Sequence, residues 1–177
     1  MTRFKPCLMQ GLMPFAPAWG LLLCLAAPLA LGEPTPCSAM NTQAEALRQL
    51  NDLRVRGASC GNSAFAAAPP LRWEERLAQS ARGYARELAE RDELSPLRHS
   101  VLRERFRGAG YRLRLAGENL AAGPEQVDEL LALWLASPAH CANLLEPRFV
   151  DIGLACVPGR ASGEPFWVLH LGRSLQE

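Results

Sequence analysis

The chain has one lysine, Lys5, in 177 residues, so nearly all of its positive charge is arginine. It also lacks net charge: 19 strong bases against 18 acids leave a formal +1. Without an excess of either sign there is no global field to recruit nucleic acid or an anionic membrane. Equally absent are a Gly-x-Ser-x-Gly elbow, a His-Glu-x-x-His helix, a Walker loop and the glycines of a dinucleotide fold. The well-marked hydrolase, nucleotide and dinucleotide classes therefore have no motif here. There is no internal repeat, and no low-complexity tract outside the amino-terminal segment.

That segment reads as a targeting sequence. Arg3 and Lys5 precede a charge-free stretch that includes Leu21 to Leu25, and Ala30 with Gly32 offers the small residues a signal peptidase reads. Cleavage before Glu33 is expected, giving a signal peptide over 1–32 and a single domain over 33–177. Pro14, Pro17 and Pro28 interrupt the apolar run, which argues against a retained spanning helix. A secreted or periplasmic, monomeric product is the expectation. The remaining length is enough to bury one core.

Export agrees with the cysteines. With Cys7 and Cys24 in the leader, Cys37, Cys60, Cys141 and Cys156 remain, an even set for an oxidising compartment. Four cysteines allow three pairings. Cys37–Cys60 with Cys141–Cys156 is favoured because each closes a short loop, and a loop of roughly 15 residues contributes about 3 kcal/mol. No paired Cys-x-x-Cys spacing supports a structural zinc site instead.

Apolar spacing predicts helices over 41–56, 73–92, 101–108 and 125–136. Strands are expected over 113–121, 150–157 and 166–171, the last two joined by the turn around Pro158, Gly159 and Gly163. Residues 61–70 read as a small-residue loop. Three helices, a strand, a helix and two strands argue for an α+β fold with an antiparallel sheet covered by helices.

Three residues stand out for chemistry. Glu118 should share a strand face with Ala116 and Leu120, where a buried carboxylate needs a partner. That partner is either a histidine or a metal, or else an arginine or backbone donors. His140 follows Ser137, a natural N-cap, and Pro138, a natural first helical residue. In the first turn its ring is kept neutral and able to ligate a metal, or it is a capping or packing histidine. His99 precedes the third helix and matters only if the fold carries it to the other two. His170, on the last strand, reads as structural or solvent-facing. Arg98, Arg103, Arg105, Arg107, Arg112 and Arg114 form a local basic cluster. It reads as a solvated face rather than a phosphate or lipid-headgroup site.

Several segments together resemble the CAP superfamily, the cysteine-rich secretory, antigen 5 and pathogenesis-related proteins that share the SCP domain, and its bacterial branch in particular. They are Leu71-Arg72-Trp73, Ala109-Gly110-Tyr111, Gly117-Glu118-Asn119-Leu120-Ala121, Trp134 with Ser137-Pro138-Ala139-His140-Cys141-Ala142-Asn143-Leu144, Phe149 to Leu154, and Phe166-Trp167. The resemblance implies an α-β-α sandwich with a central antiparallel sheet and an open cleft. It further implies that two histidines and two acids line that cleft and, in several members, hold a divalent ion such as zinc. Glu118 and His140 match two of those positions and His99 a third, so His99, Glu118 and His140 are the implied metal ligands. Ser137 falls where eukaryotic members place a glutamate. Asp128 and Glu129 are turned away from the buried stripe of their helix. The resemblance implies a secreted binding module for a lipid, peptide or protein ligand. The alternatives are a metal-dependent hydrolase acting on peptide or cell-wall substrates, and an immunity or adhesion partner.

Overall fold

The computed structural model of the chain describes Cys37 and residues 39–94 and 101–175. Residues 1–36, where a targeting segment is expected, and His99 lie outside the described residues. Helix α1 (Ala39–Arg56) leads into a two-strand hairpin, β1 (Ala58–Cys60) and β2 (Ser63–Phe65), then β3 (Arg72–Trp73) and α2 (Glu75–Arg91). After α3 (Leu102–Gly108) come β4 (Leu113–Ala122), α4 (Val127–Ala136), α5 (Pro138–Leu145), β5 (Asp151–Pro158) and β6 (Pro165–Ser174).

The main sheet has the order β3-β5-β6-β4. Strands β4, β5 and β6 are antiparallel, as expected, but β3 runs parallel to β5, so the sheet is mixed. The reason is local. The chain must enter α2 from the sheet edge, and Arg72 and Glu74 donate their backbone N–H groups to Val150 and Ile152 as they pass. The following helix then lies back across the sheet, close enough that a methyl group on Gly153 would overlap the α2 backbone at Leu77 and Ala78. The hairpin β1–β2 is also new, since residues 61–70 read as loop.

Helices cover both faces, which explains why β6 is buried along almost its whole length and reads as a nearly unbroken apolar run. On one face α1, α4 and α5 bury Leu50, Leu130, Trp134 and Leu144 against Leu154, Leu169 and Leu171. On the other, α2 sets Tyr84, Ala85 and Leu88 against Ala155, Phe166 and Val168. Alongside it, α3 packs Phe106 beside Leu77 and Tyr111. The C-terminus of α2 is held by Asp92, whose carboxylate accepts from the N–H groups of Ala161 and Ser162 in the β5–β6 turn.

The disulfides are Cys37–Cys156 and Cys60–Cys141, which corrects the short-loop pairing. Cys141 sits in the first turn of α5, which packs on the β1–β2 hairpin that carries Cys60. Cys156 is near the carboxyl-terminal end of β5, where it meets Cys37. Layer stacking, rather than separation along the chain, decides which sulfurs meet.

Candidate ligand site around Glu118

The Gly117-Glu118-Asn119 segment works through its alternation. Gly117 has no side chain because the Phe149 ring lies where its Cβ would be. Glu118 points to the α2–α3 face, which it shares with Leu120 and Ala116, as the period-two reading requires. Asn119 points to the opposite face, is fully buried, and donates through Nδ2 to the backbone carbonyl of His140 at 3.0 Å. Asn143 completes that side, donating to Asn119 Oδ1 at 2.9 Å and to the Glu118 carbonyl at 3.1 Å. Two turns of α5 are thereby fastened to β4.

On its own face the Glu118 carboxylate is occupied twice. In the antiparallel register Glu118 stands opposite His170 of β6, and His170 Nε2 lies 3.0 Å from Oε2. Arg105 of α3 reaches the same oxygen through Nη2 in a close ion pair. The Arg105 side chain is 10% exposed and that of His170 is fully buried. The arginine guanidinium lies over the Tyr84 ring at 3.7 Å, and the imidazole stacks obliquely on Phe106 at 4.8 Å. Cation–π contact and burial hold both partners in place.

The protonation states follow. Burial pushes the Glu118 carboxyl up. The His170 hydrogen bond and the Arg105 charge outweigh it, so the group ends below the usual carboxylate range. Burial holds His170 below its ordinary value, more strongly than Glu118 raises it. The ring is therefore neutral near pH 7, with Nε2–H donating to Glu118. Nδ1 is buried and makes no well-formed hydrogen bond, although the Leu77 backbone lies close enough to influence the ring.

The structure thus brings Glu118 together with Arg105 and His170. His140 lies on α5, which packs on the face that carries Asn119; it is half-buried and offers its backbone carbonyl to the sheet. Ser137 starts α5 without a side-chain cap, and Pro138 takes the first turn as expected. Of the three residues implied for a metal, His99 lies outside the described residues, Glu118 is committed to Arg105 and His170, and His140 does not join that pair in a cluster. Among the described residues no three His, Cys, Asp or Glu side chains gather closely enough to hold a metal ion. A metal at Glu118 Oε2 would have to displace the Arg105 guanidinium and the Nε2–H of His170. The described residues do not fit one.

Sequence reasoning missed His170 as a partner and left Arg105 within the solvated cluster. An arginine was one of the two classes of partner expected for Glu118. The usable signal was the position of Arg105, three residues after the inward Leu102 and next to the inward Phe106 on a helix of only seven residues. Nothing local could have paired His170 with Glu118, because β4 and β6 are separated by two helices and a strand.

The profile of the cysteine-rich secretory protein family matches residues 47–171. Over 91 residues the chain is 32% identical to the uncharacterized protein YkwD of Bacillus subtilis, covering 50% of this chain and 35% of that protein. The chain therefore spans about a third of the length of that relative. Among solved structures it is similar to an outer surface protein of Borrelia burgdorferi, with a TM-score of 0.65 at 19% identity. That match covers 76% of this chain and 94% of the other. An extracellular protein of Bacillus anthracis containing an SCP domain aligns with a TM-score of 0.56 at 25% identity, covering 74% and 41%. NaASP2, solved with Zn2+, shares the fold with a TM-score of 0.55 at 13% identity over 79% and 83%. No described helix is long and apolar enough to cross a membrane. The profile match, and an α+β sandwich with a mixed central sheet flanked by helices, make this chain a member of the cysteine-rich secretory protein, or CAP, family.

Proposed function

We propose that this CAP domain acts outside the cytoplasm as a non-catalytic binding module. The observation that carries the reading is the double occupation of the Glu118 carboxylate. Hydrolysis at this position would require a carboxylate able to ligate a metal or to take a proton from water. Arg105 and His170 both hold Oε2, so that oxygen is taken for either role. The secretory leader expected at the amino terminus, the two disulfides and the extracellular or surface relatives support the location.

The recognition surface in this reading is the outer edge of β4, where α5 and half-buried His140 meet the sheet. Its ligand would be a lipid, a peptide or a protein. The test is a paired assay of purified full-length protein. One arm measures turnover of a peptide library and of cell-wall fragments, with and without added zinc. The other measures affinity for phospholipid vesicles and for the same peptides. The reading expects no turnover in the first arm and, in the second, saturable binding weakened at least tenfold by His140→Ala. Turnover that disappears in Glu118→Gln would replace it with the hydrolase reading.

A further inference from the structure

We infer that Arg105 is the resident cation of this site: its guanidinium takes the charge position on Glu118 that a divalent ion would otherwise need, so the Glu118–His170 pair is closed to metal in this protein. The inference concerns the chemistry of Glu118 alone and does not depend on what the domain binds elsewhere.

Three features carry it. First, the charges are already matched. Glu118 supplies one negative charge and Arg105 one positive charge in direct contact, both largely buried. A dication entering beside them would meet a fixed positive charge where water screens poorly. Second, the two donor atoms that face each other, His170 Nε2 and Glu118 Oε2, are already spent on one another. A metal needs a deprotonated carboxylate oxygen and a lone pair on imidazole nitrogen. Here Oε2 of Glu118 accepts the Nε2–H of His170 at 3.0 Å and also contacts Arg105, so neither facing atom has a free lone pair. Third, Arg105 is not a mobile surface side chain. Stacked on Tyr84 at 3.7 Å and 10% exposed, it cannot swing into solvent without giving up that contact. Its neighbour in α3, Phe106, is fully buried against the His170 ring of β6, the strand paired with the one that carries Glu118.

The arrangement also makes a positive claim. Removing the guanidinium while keeping a polar side chain leaves a carboxylate and an imidazole facing each other across adjacent strands. That is a two-ligand start for a cation. Calorimetric zinc titration of the full-length protein, Glu118→Gln, Arg105→Gln and the double variant tests this. Wild type and Glu118→Gln should be indistinguishable. Arg105→Gln should bind zinc at least tenfold more tightly than wild type, and the gain should vanish in the double variant. Zinc affinity in wild type that drops tenfold in Glu118→Gln overturns the inference, as does an Arg105→Gln protein that folds and shows no gain. Should Arg105→Gln fail to fold, nitrogen-15 NMR of wild type decides. The His170 Nε2–H resonance should persist in millimolar zinc, and its replacement by a metal-bound signal overturns the inference.

Discussion

Arg54 is fully buried, and its guanidinium donates to four carbonyls: Pro69 at 2.8 Å, Leu144 at 2.7 Å, Glu146 at 3.1 Å and Phe149 at 3.3 Å. One side chain from α1 thus satisfies the end of α5 and the loop before β5, which could not otherwise be buried. Arg54→Met should lower the unfolding free energy by about 3 kcal/mol or more, because orphaned buried carbonyls cost more than the hydrogen bonds themselves were worth. Arg54→Lys should recover only part, since an ammonium has three donors in place of a planar fork. Urea denaturation of both variants measures this, and equal stability of Arg54→Met and wild type would contradict it. The Glu118 site makes a second prediction at this scale. An unfolded His170 takes up a proton near pH 6.5 and the folded one resists it, so stability is full above that value and declines as pH falls through the folded value. Glu118 adds a second loss of the same sign below its unfolded value near 4.5. Urea midpoints should therefore fall on acidification from pH 7 to 5, and His170→Gln should flatten that upper window. A midpoint that rises over the same range would mean that the imidazolium is stabilised.

The elements that depend on their own periodicity were legible. The apolar stripe through Leu77, Ala81, Tyr84 and Leu88 marks α2, observed as Glu75–Arg91 against an expected 73–92. Strand β4 lies within a residue of its expected range, and α3 and α5 begin close to where Leu102 and Pro138 indicated. Elements that exist only through a partner were not. The two residues of β3 carry no pattern of their own and become a strand because Val150 and Ile152 lie beside them. The β6 strand continues past Leu171 through Gly172 to Ser174, where apolarity stops but pairing with β4 does not. Gly172 itself is required because the Tyr111 ring lies over it, and that ring's hydroxyl donates to buried Asp151 at 2.7 Å. Tyr111→Phe should thus lose a hydrogen bond to a charged acceptor, about 1.5–3 kcal/mol, with the fold intact. An unchanged urea midpoint would show that Asp151 is satisfied by Arg72 alone.

At the scale of the molecule, the disulfides link distant parts of the chain. The Cys60–Cys141 bond joins residues 81 apart and the Cys37–Cys156 bond residues 119 apart. The chain-entropy model gives about 4–5 kcal/mol for loops on the order of 100 residues, more than the short loops expected from sequence would have contributed. Peptide mapping of non-reduced protein should recover Cys37 with Cys156 and Cys60 with Cys141. Recovery of Cys141 with Cys156 would contradict the stacking of α5 on the β1–β2 hairpin. Replacing Cys60 and Cys141 together by serine should lower the thermal midpoint well beyond the effect of either Tyr111→Phe or His170→Gln. The same layering explains why the site was only half legible. Glu118 and its need for a partner follow from alternation along one strand, whereas the identity of that partner follows from which helix the sheet folds under.

The acid of the Gly-Glu-Asn segment is neutralised by the protein itself, through Arg105. Crystals of the full-length protein soaked in zinc and measured on both sides of the zinc absorption edge test it most directly. No anomalous peak should lie within bonding distance of Glu118 Oε2, and Arg105 and His170 should still be in contact with it. A peak bridging Glu118 to a histidine, with the Arg105 side chain displaced, would contradict it.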